Sequence, residues 1–328
     1  MKNMTLAFVI LASLMVSSLS IASIKTNYGG LDNGFFWIYE PEHPRYEISP
    51  IVFFLPGFVA PNPINYGMWF DHLTQEGFVV VYLSIMNADG VTKLKSINDR
   101  AFDAYQKAWS VIRSRKRSDG SVMTPMDFSK IAFIGHSAGG DISGDLAARA
   151  KINGLPYPGL LFSVDPAKTS FYKNTVGQGP LVQLGDIAHV DDKTMLFAVY
   201  GDMDRFFGMR GCEAYVWLDM ATNVPDTQKY IVKFESDLKS GEKATHFFAS
   251  APDPFYDNGI DDQKDTNGFL KQMRIEKRHV RLGQLVFNDL DVMLWEAFDQ
   301  AFAFTFNQVS MNFPFQTFTG LPNFCLSR

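Results

Sequence analysis

The sequence predicts an α/β architecture, a mostly parallel sheet with helices on both faces. Short apolar runs alternate with longer amphipathic stretches along the chain, as strand–helix–strand units do. Most of the short runs are continuous β-branched and aromatic blocks, the pattern of strands buried on both faces. Composition agrees: 46% of the 328 residues are hydrophobic and 20% charged, a globular rather than a disordered balance.

Residues 1–22 come first, with Lys2, an apolar run over 5–16 and then a small, polar stretch. That is the layout of a secretory signal peptide, and Ser20 and Ala22 place cleavage after Ala22. The run is shorter than the ~18–20 apolar residues a bilayer span needs, which disfavours an uncleaved anchor. The mature chain, 23–328, is expected as one domain without a membrane span, in the periplasm or outside the cell. Strands are expected at 35–39, 51–55, 78–83, 131–134, 160–164, 195–200 and 230–234. Helices are expected between them, at 65–75, 98–117, 138–151 and 210–220. A last helix at 283–306 carries an apolar stripe at Val286, Leu290, Met293, Leu294, Ala297, Ala301 and Phe304, spaced for one helical face. Two polar stretches, 166–192 and 249–277, read as long surface loops, which are often functional in compact domains.

Charge and cysteines narrow the function classes. A net charge of −5 argues against nucleic acid, whose phosphates need a basic face. The basic run 113–117 reads as a solvated patch near a helix end. No CxxC or His/Cys cluster suggests zinc. Cys212 and Cys325 can pair in an oxidising compartment or remain separate thiols. The acidic stretch 253–265, with Asp253, Asp257, Asp261, Asp262 and Asp265, lacks the ladder of a calcium loop and reads as solvated surface. Phe supplies 30 residues, 9 of them within 281–328; this tail is expected to pack down rather than expose an apolar patch.

The sharpest signal is 131–140, an apolar strand running into Gly135-His136-Ser137-Ala138-Gly139 and then a helix-like stretch. A G-x-S-x-G segment between strand and helix holds its serine hydroxyl on a tight turn away from the sheet. Side chains at 135 and 139 would strike neighbouring backbone, hence two glycines. The helix that follows aims its first N–H groups at the same point, and the Ala138 N–H is the candidate donor to an oxyanion.

Four passages extend this signal: Phe54-Leu-Pro-Gly-Phe58, the run from Trp69 to Val81, Asp127 to Gly140, and Val164-Asp165-Pro166. Together they resemble the α/β-hydrolase superfamily, and within it chlorophyllase-like and cutinase- or polyester-hydrolase-like serine esterases. The resemblance implies an α/β-hydrolase fold with a sheet of about eight strands. It also implies a second oxyanion donor in the loop after the third strand, where Phe58 stands. Trp69, His136, Phe247 and Phe248 lie near these motifs as substrate-pocket candidates, with a core role for any one of them the open alternative.

In that fold the order is serine, acid, histidine. His43 and His72 precede Ser137, and His189 falls before its expected place. His279 lies in a charged run. His246, in a short loop after the strand at 230–234, is the base candidate. The acid stays open. Asp204 follows the strand at 195–200 in a G-x-x-D layout and is preferred. Asp165 stands at the acid position of the chlorophyllase-like branch, and Asp202 is a third choice. The implied activity is a secreted carboxylic ester hydrolase acting through an acyl-enzyme. It needs no metal or organic cofactor and works as a monomer on small or polymeric, apolar or aromatic esters. The rivals are a serine peptidase or thioesterase on the same fold, and a non-enzymatic binding module.

Overall fold

The computed structural model describes residues 23–28, 36–57, 60–85, 97–167, 187–204, 211–237, 239, 242–257 and 289–326. The leader 1–22, Phe58, His279, Val286, Asp261, Asp262 and Asp265 lie outside the described residues.

The strands are β1 (Ser23–Tyr28), β2 (Phe36–Pro41), β3 (Ser49–Leu55), β4 (Val79–Leu83), β5 (Met126–His136), β6 (Leu160–Val164), β7 (Met195–Gly201), β8 (Lys229–Phe234) and β9 (Gln316–Thr317). They form one nine-stranded sheet in the order β1-β2-β4-β3-β5-β6-β7-β8-β9. Strands β3 to β8 run parallel, and β1, β2 and β9 join antiparallel at the two edges. The register places Leu55 beside Gly135, His136 beside Val164, and Gly201 beside Phe234. The carboxyl ends of five parallel strands therefore finish level, which is where ligands bind in open α/β sheets.

Alternate residues of each central strand serve two cores, as the two-residue strand period requires. Phe53, Leu55, Phe133, Leu161 and Ala198 face one side and meet α2 (Ile97–Ser114), α3 (Ala138–Ile152) and α4 (Cys212–Met220). Val52, Phe54, Ile134, Phe162 and Phe197 face the other and meet α1 (Gly67–Gln75) and α5 (Asp289–Asn307). Helix α2 buries Ala101, Ala104, Tyr105, Ala108, Trp109 and Ile112, one stripe at helical spacing. Each large apolar side chain so buried contributes about 1.5–3 kcal/mol. Helix α3 is buried nearly all round; at Gly144 a Cβ would meet the Ile187 Cδ1 at 2.6 Å.

Several details differ from the sequence reading. Strand β5 begins at Met126, before the apolar block, because Ser49 of β3 pairs with Met126 across a register shift. Edge strands β1 and β9 are additional; β1 is mostly polar (Ser23, Lys25, Thr26 and Asn27) and β9 has two residues. Within α5 the inward face is Leu290, Leu294, Ala297, Phe298, Ala301 and Phe302, whereas Met293 is 45% exposed. Arg117 is no solvated charge: its guanidinium makes a two-pronged pair with the fully buried Glu40 at 2.7 and 2.9 Å.

The Phe-rich tail packs down. Phe315 meets Phe197 edge-on, Phe313 stacks on Phe234, and Phe318 is buried on the opposite face. Cys325 is bonded to Cys212 at the start of α4, tying the tail to that helix. Among the described residues no helix is long and apolar enough to cross a membrane.

Candidate active site

Ser137 closes the β5–α3 turn with φ 55° and ψ −119°, a conformation a non-glycine residue adopts only when its surroundings enforce it. The enforcement is visible. A Cβ on Gly135 would lie 2.3 Å from the Gly139 oxygen, and one on Gly139 would lie 2.1 Å from the Leu55 oxygen. Only hydrogen fits at either place, so the turn can lie flat against β3. The Ser137 N–H donates to the Val164 carbonyl at 3.0 Å. Ala138 opens α3, whose first N–H groups have no acceptor within the helix.

His246 follows β8 in a loop that Asp202 organises from a distance. The Asp202 carboxylate accepts from the Ser236 hydroxyl and N–H, and the Ser236 oxygen accepts from the Ala244 N–H at 2.9 Å. Gly201 lets this loop approach closely, since a Cβ there would lie 2.1 Å from the Ala244 oxygen. The result is a continuous relay. Ser137 Oγ stands 2.8 Å from His246 Nε2, and His246 Nδ1 stands 2.9 Å from Asp204 Oδ2. A carboxylate only accepts, so Nδ1 carries the proton and Nε2 is left to accept from the serine hydroxyl. Such a relay can draw a proton from the hydroxyl and return it to a leaving group.

No protein-family model and no curated protein matches the sequence. Solved structures do match. A Klebsiella pneumoniae protein described as a dienelactone hydrolase is 13% identical with a TM-score of 0.51, covering 86% of this chain and 98% of its own. A double mutant of the esterase rPPE is 12% identical with a TM-score of 0.50, covering 82% and 85%. MGS-M1, an alpha/beta hydrolase from a Medee basin deep-sea metagenome library, is 16% identical with a TM-score of 0.48, covering 83% and 97%. The chain has the α/β-hydrolase fold.

Within this hydrolase fold the three candidate acids separate. Asp204 meets His246 and Asp202 holds Ser236. Asp165 sits one residue past β6 with φ 43° and accepts the Gly201 N–H at 3.0 Å. It is buried, and burial first, then the nearby Asp204 carboxylate, push its carboxyl well above the usual range. Its second oxygen has no hydrogen-bond partner. Asp165 therefore does not orient His246 here.

A carboxyl oxygen of Asp165 and ring nitrogens of His136 and His246 lie within 4.8 Å of one another. That grouping does not fit a resident cation, because both nitrogens of each histidine are already engaged in hydrogen bonds. The acidic stretch that raised calcium is described only as far as Asp257. There Asp253 caps the turn Pro254–Tyr256, and Asp257 accepts from the Asn62 amide at 2.8 Å.

The aromatic candidates divide as well. Trp69 is a core residue rather than a pocket wall, its indole N–H donating to the Ala249 carbonyl at 3.1 Å. His136 is buried within hydrogen bonds, and Phe248 packs on Phe234. Phe247 is half-buried, with its ring edge-on to His246 at 5.4 Å. Tyr66 was not among the sequence candidates, yet its hydroxyl contacts both Gly57 and His136. Nothing in the local sequence distinguishes it from a core tyrosine.

Proposed function

We propose that the protein is a secreted serine ester hydrolase acting through an acyl-enzyme. The observation that carries the reading is the Ser137–His246–Asp204 relay, mounted on a turn held at positive φ. His246 Nε2 takes the Ser137 proton while Ser137 Oγ attacks the ester carbonyl carbon. The oxyanion that forms faces the N-terminus of α3, where the Ala138 N–H can donate; the Phe58 N–H is the second donor in this reading. Collapse expels the alcohol, which receives the proton from His246. Water, deprotonated in turn by His246, attacks the acyl carbonyl, releasing the acid and restoring Ser137. Asp204 stabilises the imidazolium in both halves. This chemistry uses the chain's own groups alone. The half-buried Phe247 beside the base supports an apolar or aromatic acyl or alcohol portion, and the esterase name of one structural neighbour fits an ester as substrate.

The test is a fluorophosphonate probe on wild type and Ser137→Ala, followed by p-nitrophenyl esters of increasing acyl length. Wild type should label and turn over esters, and Ser137→Ala should do neither. Folded wild type that does not label removes the serine-hydrolase reading. Labelling without ester turnover transfers it to a peptidase. Secretion is tested separately, by N-terminal sequencing of the exported protein, which should begin at Ser23.

A further inference from the structure

On the serine-hydrolase reading, we infer that Tyr66 and His136 are positioning residues that hold the turn after β3, the Ser137 turn and the His246 loop in one register. The basis is a one-way chain of hydrogen bonds through buried groups. The Gly57 N–H donates to the Tyr66 hydroxyl oxygen at 2.9 Å. That hydroxyl lies 2.8 Å from His136 Nδ1, and His136 Nε2 lies 2.7 Å from the His246 carbonyl oxygen. A carbonyl only accepts, so Nε2 carries the ring proton; in the neutral ring Nδ1 then accepts from Tyr66. Every donor points the same way, from Gly57 toward His246.

Both ends of the chain touch the relay. A Cβ on Gly57 would lie 3.3 Å from the Ser137 Cβ and 3.1 Å from His136 Nδ1, so this turn lies against the nucleophile. At the other end, His136 grips the backbone of the residue whose ring meets Ser137. Tyr66 is itself fixed. It ends the turn Pro63–Tyr66 capped by Asn62, its ring lies 4.8 Å from that of Phe54, and the Ile64 carbonyl accepts the Asp253 N–H at 3.0 Å. The turn that carries Tyr66 is thus clasped to the segment following the base.

The experiment compares the full-length protein with Tyr66→Phe, His136→Gln, His136→Leu and the Tyr66→Phe/His136→Leu double variant, each assayed well below its melting temperature. Phe keeps the ring and loses the hydroxyl. Gln keeps an N–H near the Nε2 position, and Leu keeps none. Tyr66→Phe and His136→Leu should lower kcat about 10- to 100-fold, because small displacements of reacting groups are costly. KM should stay within about threefold of wild type, since little ground-state binding is lost. His136→Gln should recover most of kcat, and the double variant should be no slower than the worse single one, as expected of residues acting through one chain. A loss confined to KM, His136→Gln as slow as His136→Leu, or a double loss equal to the product of the singles overturns the inference. Fluorophosphonate labelling runs alongside. An unlabelled wild type removes the hydrolase reading itself. A labelled wild type whose variants label equally fast removes only the coupling.

Discussion

Gly201→Ala tests how tightly the base must be placed. The added Cβ would lie 2.1 Å from the Ala244 oxygen, with the Ala244 carbonyl carbon at 2.6 Å. Backbone cannot swing aside as a side-chain end can, so the loop must retreat by about 1 Å to reach ordinary contact. Ala244 precedes His246 by two residues, and Met203 donates to the same Ala244 oxygen at 3.0 Å, so the retreat is passed to both base and acid. A His246–Ser137 separation of 2.8 Å would open toward 3.5–4 Å, beyond a working hydrogen bond. A misplacement of about 1 Å costs about 100-fold in rate, or ~2.7 kcal/mol of barrier. Overpacking should also lower stability by about 1–3 kcal/mol. Gly159→Ala separates the two effects. Its Cβ would strike the Phe306 ring at 2.8 Å, overpacking a place where no relay residue stands. The assay is second-order fluorophosphonate labelling with ester kcat, both at a temperature where all variants are folded. Gly201→Ala should label and turn over about 100-fold slower, and Gly159→Ala at the wild-type rate with a lowered melting temperature. Wild-type labelling in Gly201→Ala would refute the claim that this close approach sets the position of the base.

The remaining predictions concern the acids, pH and the disulfide. Asp204→Asn should lower kcat by about 10⁴-fold, because the base loses the carboxylate that sets its tautomer, whereas Asp165→Asn, which can still accept the Gly201 N–H, should retain activity within about tenfold; ester kinetics on the two variants decide between them. Asp71, close to Asp253 and hydrogen-bonded by the Tyr256 hydroxyl, has its carboxyl pushed up to about 7 chiefly by burial. A folded-state value above the unfolded one means the folded protein holds the proton more tightly, so this group's stabilisation falls as pH rises from about 4 to about 7 and is flat above. Asp71→Asn should flatten that slope and stabilise by about 1–2 kcal/mol near pH 8 after allowance for solvent screening, read from urea unfolding across pH. Breaking Cys212–Cys325, which closes a loop of 113 residues, by the double Ser variant or by reductant should cost about 4–5 kcal/mol on the chain-entropy account, seen as a lower denaturation midpoint.

What was legible in the sequence followed from local chemistry. The central strands are readable because most carry a continuous apolar run, and the Ser137 turn because glycine is forced at 135 and 139 by backbone contacts within the motif and with β3. Edge strands β1 and β9 escaped because one face of an edge need not be apolar and pairing alone defines them. Asp204 and Asp165 both end neighbouring strands. Their difference is one of turn geometry: Asp165, at positive φ directly after β6, turns back onto the Gly201 N–H, while three residues beyond Gly201's strand end carry Asp204 out over His246. Trp69 reads as a pocket or core aromatic because it lies near the motifs; only the acceptor of its N–H, 180 positions away, shows that it holds a loop. Tyr66 was invisible for the same reason, its partners lying 9 and 70 positions away.

The His246 segment has no helix or strand of its own to hold it, yet it must place a ring nitrogen to within a few tenths of an ångström. Its backbone carbonyls show how. Ala244 is held by the Met203 N–H, His246 by His136, Ala249 by the Trp69 indole and Ala251 by the Met68 N–H. These donors come from the turn after β7, the end of β5 and α1, which no single segment of chain could supply. Each buried carbonyl left unmet would cost about 1–3 kcal/mol, so a register that satisfies all four is favoured over one that drops any of them. The base is therefore positioned by donors outside the relay, and substitutions at Trp69 or His136 should register in kcat rather than in KM.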